Sequence, residues 1–132
     1  MTSQPATNHT PVILVVDDNP TNLKLVSDVL EFDGYEIVQA EDAEQAQALL
    51  KKRLPDLILM DIALPGMDGL TLTRLLKSDP HTQRIPVIAL TAFAMKGDEE
   101  KAVAAGCDGY VTKPVDTRAL GIKVAKHLNL RK

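Results

Sequence analysis

Leu57-Ile58-Leu59-Met60-Asp61 is the stretch that decides the fold: four consecutive apolar residues end at a carboxylate, and a turn over Ile62-Ala63-Leu64-Pro65-Gly66 follows. An apolar run without polar alternation is typical of a strand covered on both faces, as in a parallel sheet between helical layers. Val12-Ile13-Leu14-Val15-Val16 repeats the pattern and is followed by Asp17-Asp18. Two buried strands that end at aspartate indicate an α/β fold with acidic groups at one edge of its sheet.

Composition is that of one globular domain, with 132 residues, 45% hydrophobic and 25% charged. We predict a disordered leader over residues 1–11 and a single domain over 12–132. The net charge of −3 argues against nucleic-acid binding, and no apolar segment is long enough to span a membrane. Cys107 has no cysteine partner, which favours a reducing, cytoplasmic location, and we interpret it as a small hydrophobe rather than a reactive thiol.

Strand-like and helix-like segments alternate five times along the chain. The predicted strands are Val12–Val16, Glu36–Ala40, Asp56–Met60, Ile85–Leu90 and Gly109–Thr112. The first helix begins at Pro20, with Asn19 as its predicted N-cap, and ends before Gly34. The other four cover about Ala43–Arg53, Gly69–Ser78, Met95–Ala105 and Asp116–Leu128. Five such units predict a flavodoxin-like (βα)5 fold, a doubly wound three-layer sandwich with parallel strand order 2-1-3-4-5.

The helices differ in what they offer to a core. The first carries a wide apolar stripe of Leu23, Val26 and Leu30 flanked by Leu25, Val29 and Phe32; the third carries Leu72, Leu75 and Leu76, and the fifth Leu120, Val124 and Leu128. The fourth offers mainly alanines and one valine, and Gly97 lies inside it. We therefore predict low local stability for the fourth helix.

Polar side chains fall at the ends of four of the predicted strands: Asp17 and Asp18, Asp61, Thr91 and Lys113. Ligands of doubly wound sheets bind at the carboxyl ends of the strands, so we expect these groups to converge. Two unit charges about 4 Å apart repel by roughly 4 kcal/mol at an effective dielectric near 20. Three converging carboxylates therefore require a cation, and hard oxygen ligands beside a phosphoryl group favour Mg²⁺.

Each of these residues also has an ordinary structural interpretation. Asp17 and Asp18 could favour the positive end of a helix dipole, and Asp61 could be a turn residue. Thr91 could be a β-branched strand residue, and Lys113 a solvated surface lysine. Their joint position at one sheet edge favours the functional interpretation. A glycine-rich phosphate loop does not follow the first strand, which disfavours Rossmann-type and P-loop nucleotide binding.

The chain resembles the response-regulator receiver domains, the CheY-like phosphoacceptors of two-component signalling. The resemblance covers residues 12 to about 128 and is carried by Val15-Val16-Asp17-Asp18-Asn19, Asp56-Leu57-Ile58-Leu59-Met60-Asp61, Leu64-Pro65-Gly66-Met67-Asp68-Gly69, Ile85-Pro86-Val87-Ile88-Ala89-Leu90-Thr91-Ala92 and Thr112-Lys113-Pro114. The segment from Thr91 to Glu100 is similar to that of DivK-type single-domain regulators.

The resemblance implies that Asp61 accepts a phosphoryl group from a histidine kinase or phosphotransfer protein. It implies that Asp18 and Asp61 ligate Mg²⁺ directly, with Asp17 acting through water and the Ala63 backbone carbonyl as a further ligand. Lys113 would neutralise the phosphoryl oxygens.

The implied switch couples that site to a binding face. Thr91, the Ala92 amide and Ala63 would contact the phosphoryl group. Thr91 would relocate, and Tyr110 would rotate inward behind it. A strand aromatic with no such role is the ordinary interpretation of Tyr110. Downstream proteins would bind the face of the fourth helix, fifth strand and fifth helix, and the protein would be a monomer or weak dimer.

Two further positions bear on phosphoryl lifetime and on the class of protein. Ala63 and Phe93 cannot orient an attacking water by hydrogen bonding, so we expect a long-lived phosphoryl state without enzymatic turnover. A haloacid-dehalogenase-type phosphatase would carry a second acid at position 63, where this chain has alanine. A receiver fold acting without phosphorylation is the third hypothesis, and the full acceptor set argues against it.

Overall fold

The computed structural model describes residues 10–64, 66–91, 96–113 and 115–129. Five strands and five helices alternate in the order β1(Val12–Val16), α1(Pro20–Phe32), β2(Glu36–Ala40), α2(Ala43–Lys52), β3(Leu57–Asp61), α3(Gly69–Ser78), β4(Val87–Thr91), α4(Lys96–Ala105), β5(Gly109–Thr112) and α5(Thr117–Asn129). The strands form one parallel sheet in the order β2-β1-β3-β4-β5, which confirms the predicted flavodoxin-like topology. None of the described helices is long and apolar enough to cross a membrane.

Two separate apolar clusters hold the sheet between its helical layers. One packs side chains of α1 and α5, such as Val26 and Val124, against β1, β3, β4 and β5. The other packs α2 and α3, through Leu50 and Leu72, against the opposite face of the sheet. All five residues of β1, β3 and β4 are buried, so these strands are covered on both faces as their sequences predict.

Helix ends follow local side-chain chemistry. The Asn19 side chain accepts hydrogen bonds from the backbone N–H groups of Thr21 and Asn22, so the predicted cap of α1 is confirmed. Gly34 follows α1 with a φ of 98°, and Gly106 follows α4 with a φ of 103°. Both glycines occupy the left-handed conformation that commonly terminates helices.

Some sequence-based boundaries and exposures are wrong. Asp56 precedes β3 instead of beginning it, and its carboxylate accepts a hydrogen bond from the backbone N–H of Val12 at 2.8 Å. Phe32 is 92% exposed, because at 3.6 residues per turn it lies about 180° around α1 from Leu23. Leu75 is also exposed, since it lies at the edge of the α3 stripe.

The α4 helix buries Ala102 and Ala105, whereas Val103, expected to face the core, is 65% exposed. Met95, predicted as its first residue, lies outside the described residues, as do most residues of the predicted leader.

Candidate functional site

The carboxyl edge of the sheet brings the predicted site residues to one place. The backbone N–H of Asp17, directly after β1, donates to the Ala40 carbonyl at 3.0 Å. Asp61 is the last residue of β3, and its register partner on β4 is Leu90. Thr91 is the last residue of β4, so the three strands end at the same level.

Lys113 links two of the aspartates. Its ammonium lies 3.1 Å from Oδ2 of Asp61, to which it donates a hydrogen bond, and 3.2 Å from Oδ2 of Asp17. Asp17 is fully buried and Asp61 nearly so, which makes these contacts far less solvent-screened than a surface ion pair. The backbone N–H of Lys113 donates to the Thr91 carbonyl, which fixes the start of this side chain against β4.

Backbone N–H groups hold the other oxygens of the two carboxylates. Oδ1 of Asp17 accepts from the N–H of Asn19 at 2.9 Å, and Oδ1 of Asp61 accepts from the N–H of Ala63 at 2.9 Å. Each bond spans two residues, as in an Asx turn, so both side chains are fixed by the turns that follow their own strands.

Asp17, Asp18 and Asp61 present carboxylate oxygens that lie within 4.8 Å of one another. Two oxygens that each lie about 2.1 Å from one Mg²⁺ ion are at most about 4.2 Å apart. The three carboxylates could therefore hold the ion if their oxygens moved slightly closer together, or if a water molecule stood between one carboxylate and the ion. The three carboxylates and the Lys113 ammonium together have a net formal charge of −2, which one divalent cation neutralises.

An unsatisfied oxygen supports the same conclusion. Oδ2 of Asp17 is buried without a hydrogen-bond partner among the described residues, although the Lys113 ammonium lies beside it. Because the one Lys113 ammonium is shared between Asp17 and Asp61, it offsets only one of the two buried negative charges, and a further cation or a water is needed to complete the surroundings of this oxygen. The residues present therefore fit a divalent metal ion.

Charge and burial shift the ionisation of the site. Burial raises the pKa of Asp17, the neighbouring Asp61 charge raises it further, and the Asn19 N–H and Lys113 oppose the shift. For Lys113, burial lowers the pKa, but hydrogen bonding and attraction to Asp61 and attraction to Asp17 outweigh it and raise the pKa overall. Lys113 is accordingly a fixed positive charge at neutral pH.

Two residues of the expected switch, Thr91 and Tyr110, lie in the part of the chain that the structure describes. Thr91 is buried at the end of β4, and Tyr110 is half-buried on β5. The Tyr110 backbone carbonyl accepts a hydrogen bond from the Lys123 ammonium of α5 at 2.9 Å. Ala92, Phe93 and Pro114 lie outside the described residues, so the roles expected for Ala92 and Phe93 stay predictions.

Gly69, the first residue of α3, is a site residue that individual-residue reasoning missed. A Cβ atom at this position would clash with the backbone carbonyl of Asp61 and lie 2.8 Å from the Cα of Ile62. Only glycine lets α3 begin this close to the end of β3. The Leu64-Pro65-Gly66-Met67-Asp68-Gly69 motif contained this signal, but its physical reason required the packed structure.

A lysine that bridges two strand-end aspartates, with a third carboxylate beside them on a 2-1-3-4-5 sheet, defines a signalling receiver domain. The chain belongs to the response regulator receiver domain family, which matches residues 13–125.

Among curated relatives, the polar-differentiation response regulator DivK of Brucella anthropi is 48% identical over 103 residues, covering 78% of this chain and 84% of DivK. DivK of Brucella ovis is 47% identical over 106 residues, covering 80% of this chain and 86% of that protein. The resemblance to DivK-type regulators is thereby confirmed.

Solved receiver structures share the fold. A putative response regulator from Chloroflexus aurantiacus superposes with a TM-score of 0.89 at 32% identity, over 92% of this chain and 99% of that one. The receiver domain of a sensor histidine kinase from Pseudomonas aeruginosa superposes with a TM-score of 0.84 at 34% identity, over 92% and 99% of the two chains. That second structure has a magnesium ion coordinated in its active-site cleft.

Proposed function

We propose that this DivK-like receiver domain accepts a phosphoryl group on Asp61 from a histidine kinase or phosphotransfer protein in a cytoplasmic phosphorelay. The observation that carries this proposal is the contact of the Lys113 ammonium with both Asp61 and Asp17. A positive charge held against a nearly buried carboxylate is suited to neutralising the oxygens of an incoming phosphoryl group.

The transfer is an in-line displacement at phosphorus. A carboxylate oxygen of Asp61 forms the new P–O bond while the P–N bond of a phosphohistidine breaks, and the imidazole nitrogen keeps the electron pair. The Ala63 N–H and the Lys113 ammonium, each on a different oxygen of Asp61, orient the carboxylate before the donor arrives. Most of the catalysis is then positioning and charge neutralisation, which these groups provide without a general base.

Mg²⁺ would be held by Asp18 and Asp61 directly, by Asp17 through water and by the Ala63 backbone carbonyl. When bound, it would offset the negative charge of the carboxylates and the phosphoryl oxygens. Asp18 is exposed whereas Asp17 is buried, which suits a direct ligand at the open side of the site and an outer ligand beneath it.

Phosphorylation would be read by Thr91, which is buried on the strand next to Asp61, and by the Ala92 amide. Movement of Thr91 toward the phosphoryl oxygens would leave room for Tyr110, and the face formed by α4, β5 and α5 would change its affinity for a downstream protein.

The phosphoryl group would be long-lived, since Ala63 and Phe93 offer no side-chain hydrogen bond to an attacking water. Ala63 also lacks the carboxyl group that a phosphatase would use as general acid. We therefore expect one phosphoryl group per chain and no sustained hydrolysis of phosphate esters.

Acetyl phosphate with Mg²⁺, followed by intact mass spectrometry, tests the proposal. The wild type should gain the mass of one phosphoryl group, and Asp61→Asn should gain none. Asp68→Asn is a matched control, because Asp68 is an exposed aspartate in the same turn region that caps α3 through the Thr71 N–H. Equal labelling of wild type and Asp61→Asn would refute the assignment.

The companion measurement is turnover of p-nitrophenyl phosphate. We expect none above background, and turnover that disappears in Asp61→Ala would favour a phosphatase instead. Loss of the phosphoryl group within seconds in a release time course would contradict the long-lived state.

A further inference from the structure

An apolar groove lies between α1 and α5, and none of the residues that line it is a predicted ligand or switch residue. It has a volume of about 590 Å³, and its lining includes Val29, Phe32 and Ile122. Phe32 is 92% exposed and Ile122 is 65% exposed. An aromatic ring buries about 150–250 Å² when it finds a partner, so a fully exposed phenylalanine beside an apolar groove is an unusual surface for a monomer.

The same groove carries unpaired charges of both signs. Asp33 and Arg118 both line it, and neither side chain forms a hydrogen bond or ion pair with the part of the chain that the structure describes. Asp33 lies close over α5, since its Oδ2 is 3.1 Å from where a Cβ of Gly121 would stand. The nearby Asp28, by contrast, is paired with Lys24 at 3.0 Å.

We infer that this groove is the interface of a two-fold homodimer. A two-fold interface uses the same patch on both subunits, so the patch must carry a projection and a recess, and charges of opposite sign. Phe32 is the projection and the α1–α5 groove is the recess. An apolar cavity of about 150 Å³ accommodates benzene, so this groove has room for the ring of a second copy.

The charges complete the self-complementary patch. With Phe32 of each copy in the groove of the other, Arg118 of one copy faces Asp33 of its partner, and the pair occurs twice. The interface is small compared with the roughly 1,600 Å² of stable complexes, so the dimer is weak and concentration-dependent.

This dimer is separate from the proposed phosphoryl transfer. None of the residues that line the groove is a proposed ligand of the metal ion or of the phosphoryl group. Phe32, the last residue of α1, lies about 18 Å along that helix from the site edge at 1.5 Å per residue, whereas Thr117 and Arg118 begin α5 four and five residues after Lys113. Dimerisation therefore requires neither phosphorylation nor a metal ion, and it is measured on the unphosphorylated chain in the presence of a chelator.

Sedimentation velocity over a concentration series is the first test. The wild type should shift from monomer toward dimer, and Phe32→Ala should weaken the dimer by more than about a hundredfold, because each dimer loses two buried rings. Phe32 is exposed, so the variant keeps its fold. Leu54→Ala, which trims an exposed leucine at the opposite layer, should dimerise like the wild type. A wild type that stays monomeric at millimolar concentration overturns the inference.

A charge exchange distinguishes this interface from any other. Arg118→Glu and Asp33→Lys should each weaken the homodimer about tenfold or more, since both contacts of the dimer then oppose like charges. Both changes suit their helices, with an acid in the first turn of α5 and a base at the end of α1.

Mixing the two variants should restore dimerisation. In the mixed pair, the acid introduced at position 118 of one copy faces the base introduced at position 33 of the other, and the second contact is the original one between Arg118 and Asp33. Failure of the mixture to dimerise better than either variant alone would refute the proposed geometry. A Phe32→Ala variant that dimerises normally but receives phosphoryl groups slowly would instead assign the groove to a phosphodonor protein.

Discussion

The α3 and α4 helices are neighbours of equal length that are anchored very differently. Each has ten residues, and they pack against each other on one layer. α3 buries Leu72 and Leu76, whereas the buried side chains described for α4 are Ala102 and Ala105. A buried leucine contributes about 1.5–3 kcal/mol, and an alanine far less. Two helices of equal length on one sheet can therefore differ widely in local stability, and the less stable one, α4, can more easily change conformation.

Removing the α3 anchor should have the largest effect. Leu72→Ala should lower the free energy of unfolding by about 3 kcal/mol, because it leaves a cavity in a fully buried site. Urea unfolding followed by circular dichroism measures it. Val103→Ala on the exposed side of α4 is the matched control and should change the free energy by less than about 0.5 kcal/mol. Similar losses for both would mean that α4 is anchored as firmly as α3.

Hydrogen exchange should show the same contrast within one molecule. Amides of α4 should open with a free energy at least about 2 kcal/mol below that of α3 amides, because α4 can detach without exposing a leucine. Native-state exchange read by NMR checks this. Equal opening energies in both helices, each matching global unfolding, would contradict low local stability in α4.

Sequence patterns predict the fold because the strong signals are local. The apolar runs of β1 and β3 and the cap formed by Asn19 each depend on adjacent residues, and all were found in the structure. Exposure at the edges of a helical stripe depends on which neighbour covers it. For that reason Phe32 and Leu75, both apolar, were wrongly expected to be covered.

In the site too, side-chain positions could be predicted from the sequence, whereas backbone contacts could not. Strand-end positions predicted that Asp17, Asp61 and Lys113 meet, since parallel strands end at one edge. The hydrogen bond from the backbone N–H of Ala63 to Asp61 could not be predicted from residue types, because every residue except proline has such a group. The close approach at Gly69 involves two backbone segments, which only the packed structure brings together.

Cys107 offers a chemical probe of the α4 end. Burial raises the pKa of its thiol, with Asp108 adding to the shift and Thr73 opposing it. The thiolate fraction at a given pH is then smaller than in the unfolded chain, so the alkylation rate should rise with pH at a higher midpoint than in urea. The folded state correspondingly loses stability as pH rises through that range. Iodoacetamide labelling at several pH values, with and without urea, measures it; coinciding midpoints would contradict the shift.

Gly97→Ala should produce the smallest effect and sharpen the comparison most directly. Gly97 lies in the first turn of α4, has no neighbour within 4 Å of an added Cβ, and is not among the positive-φ glycines. Alanine should therefore stabilise α4 by about 0.5–1 kcal/mol through helix propensity alone. The amides of α4 should exchange about two- to fivefold more slowly, while those of α3 stay unchanged.

Because the Cys107 N–H donates to the Ala102 carbonyl, thiol alkylation should slow as well if it depends on opening of α4. Slower exchange in α3 and α4 alike would show that the two helices open as one unit, and the contrast between them would then be one of packing without a difference in local stability.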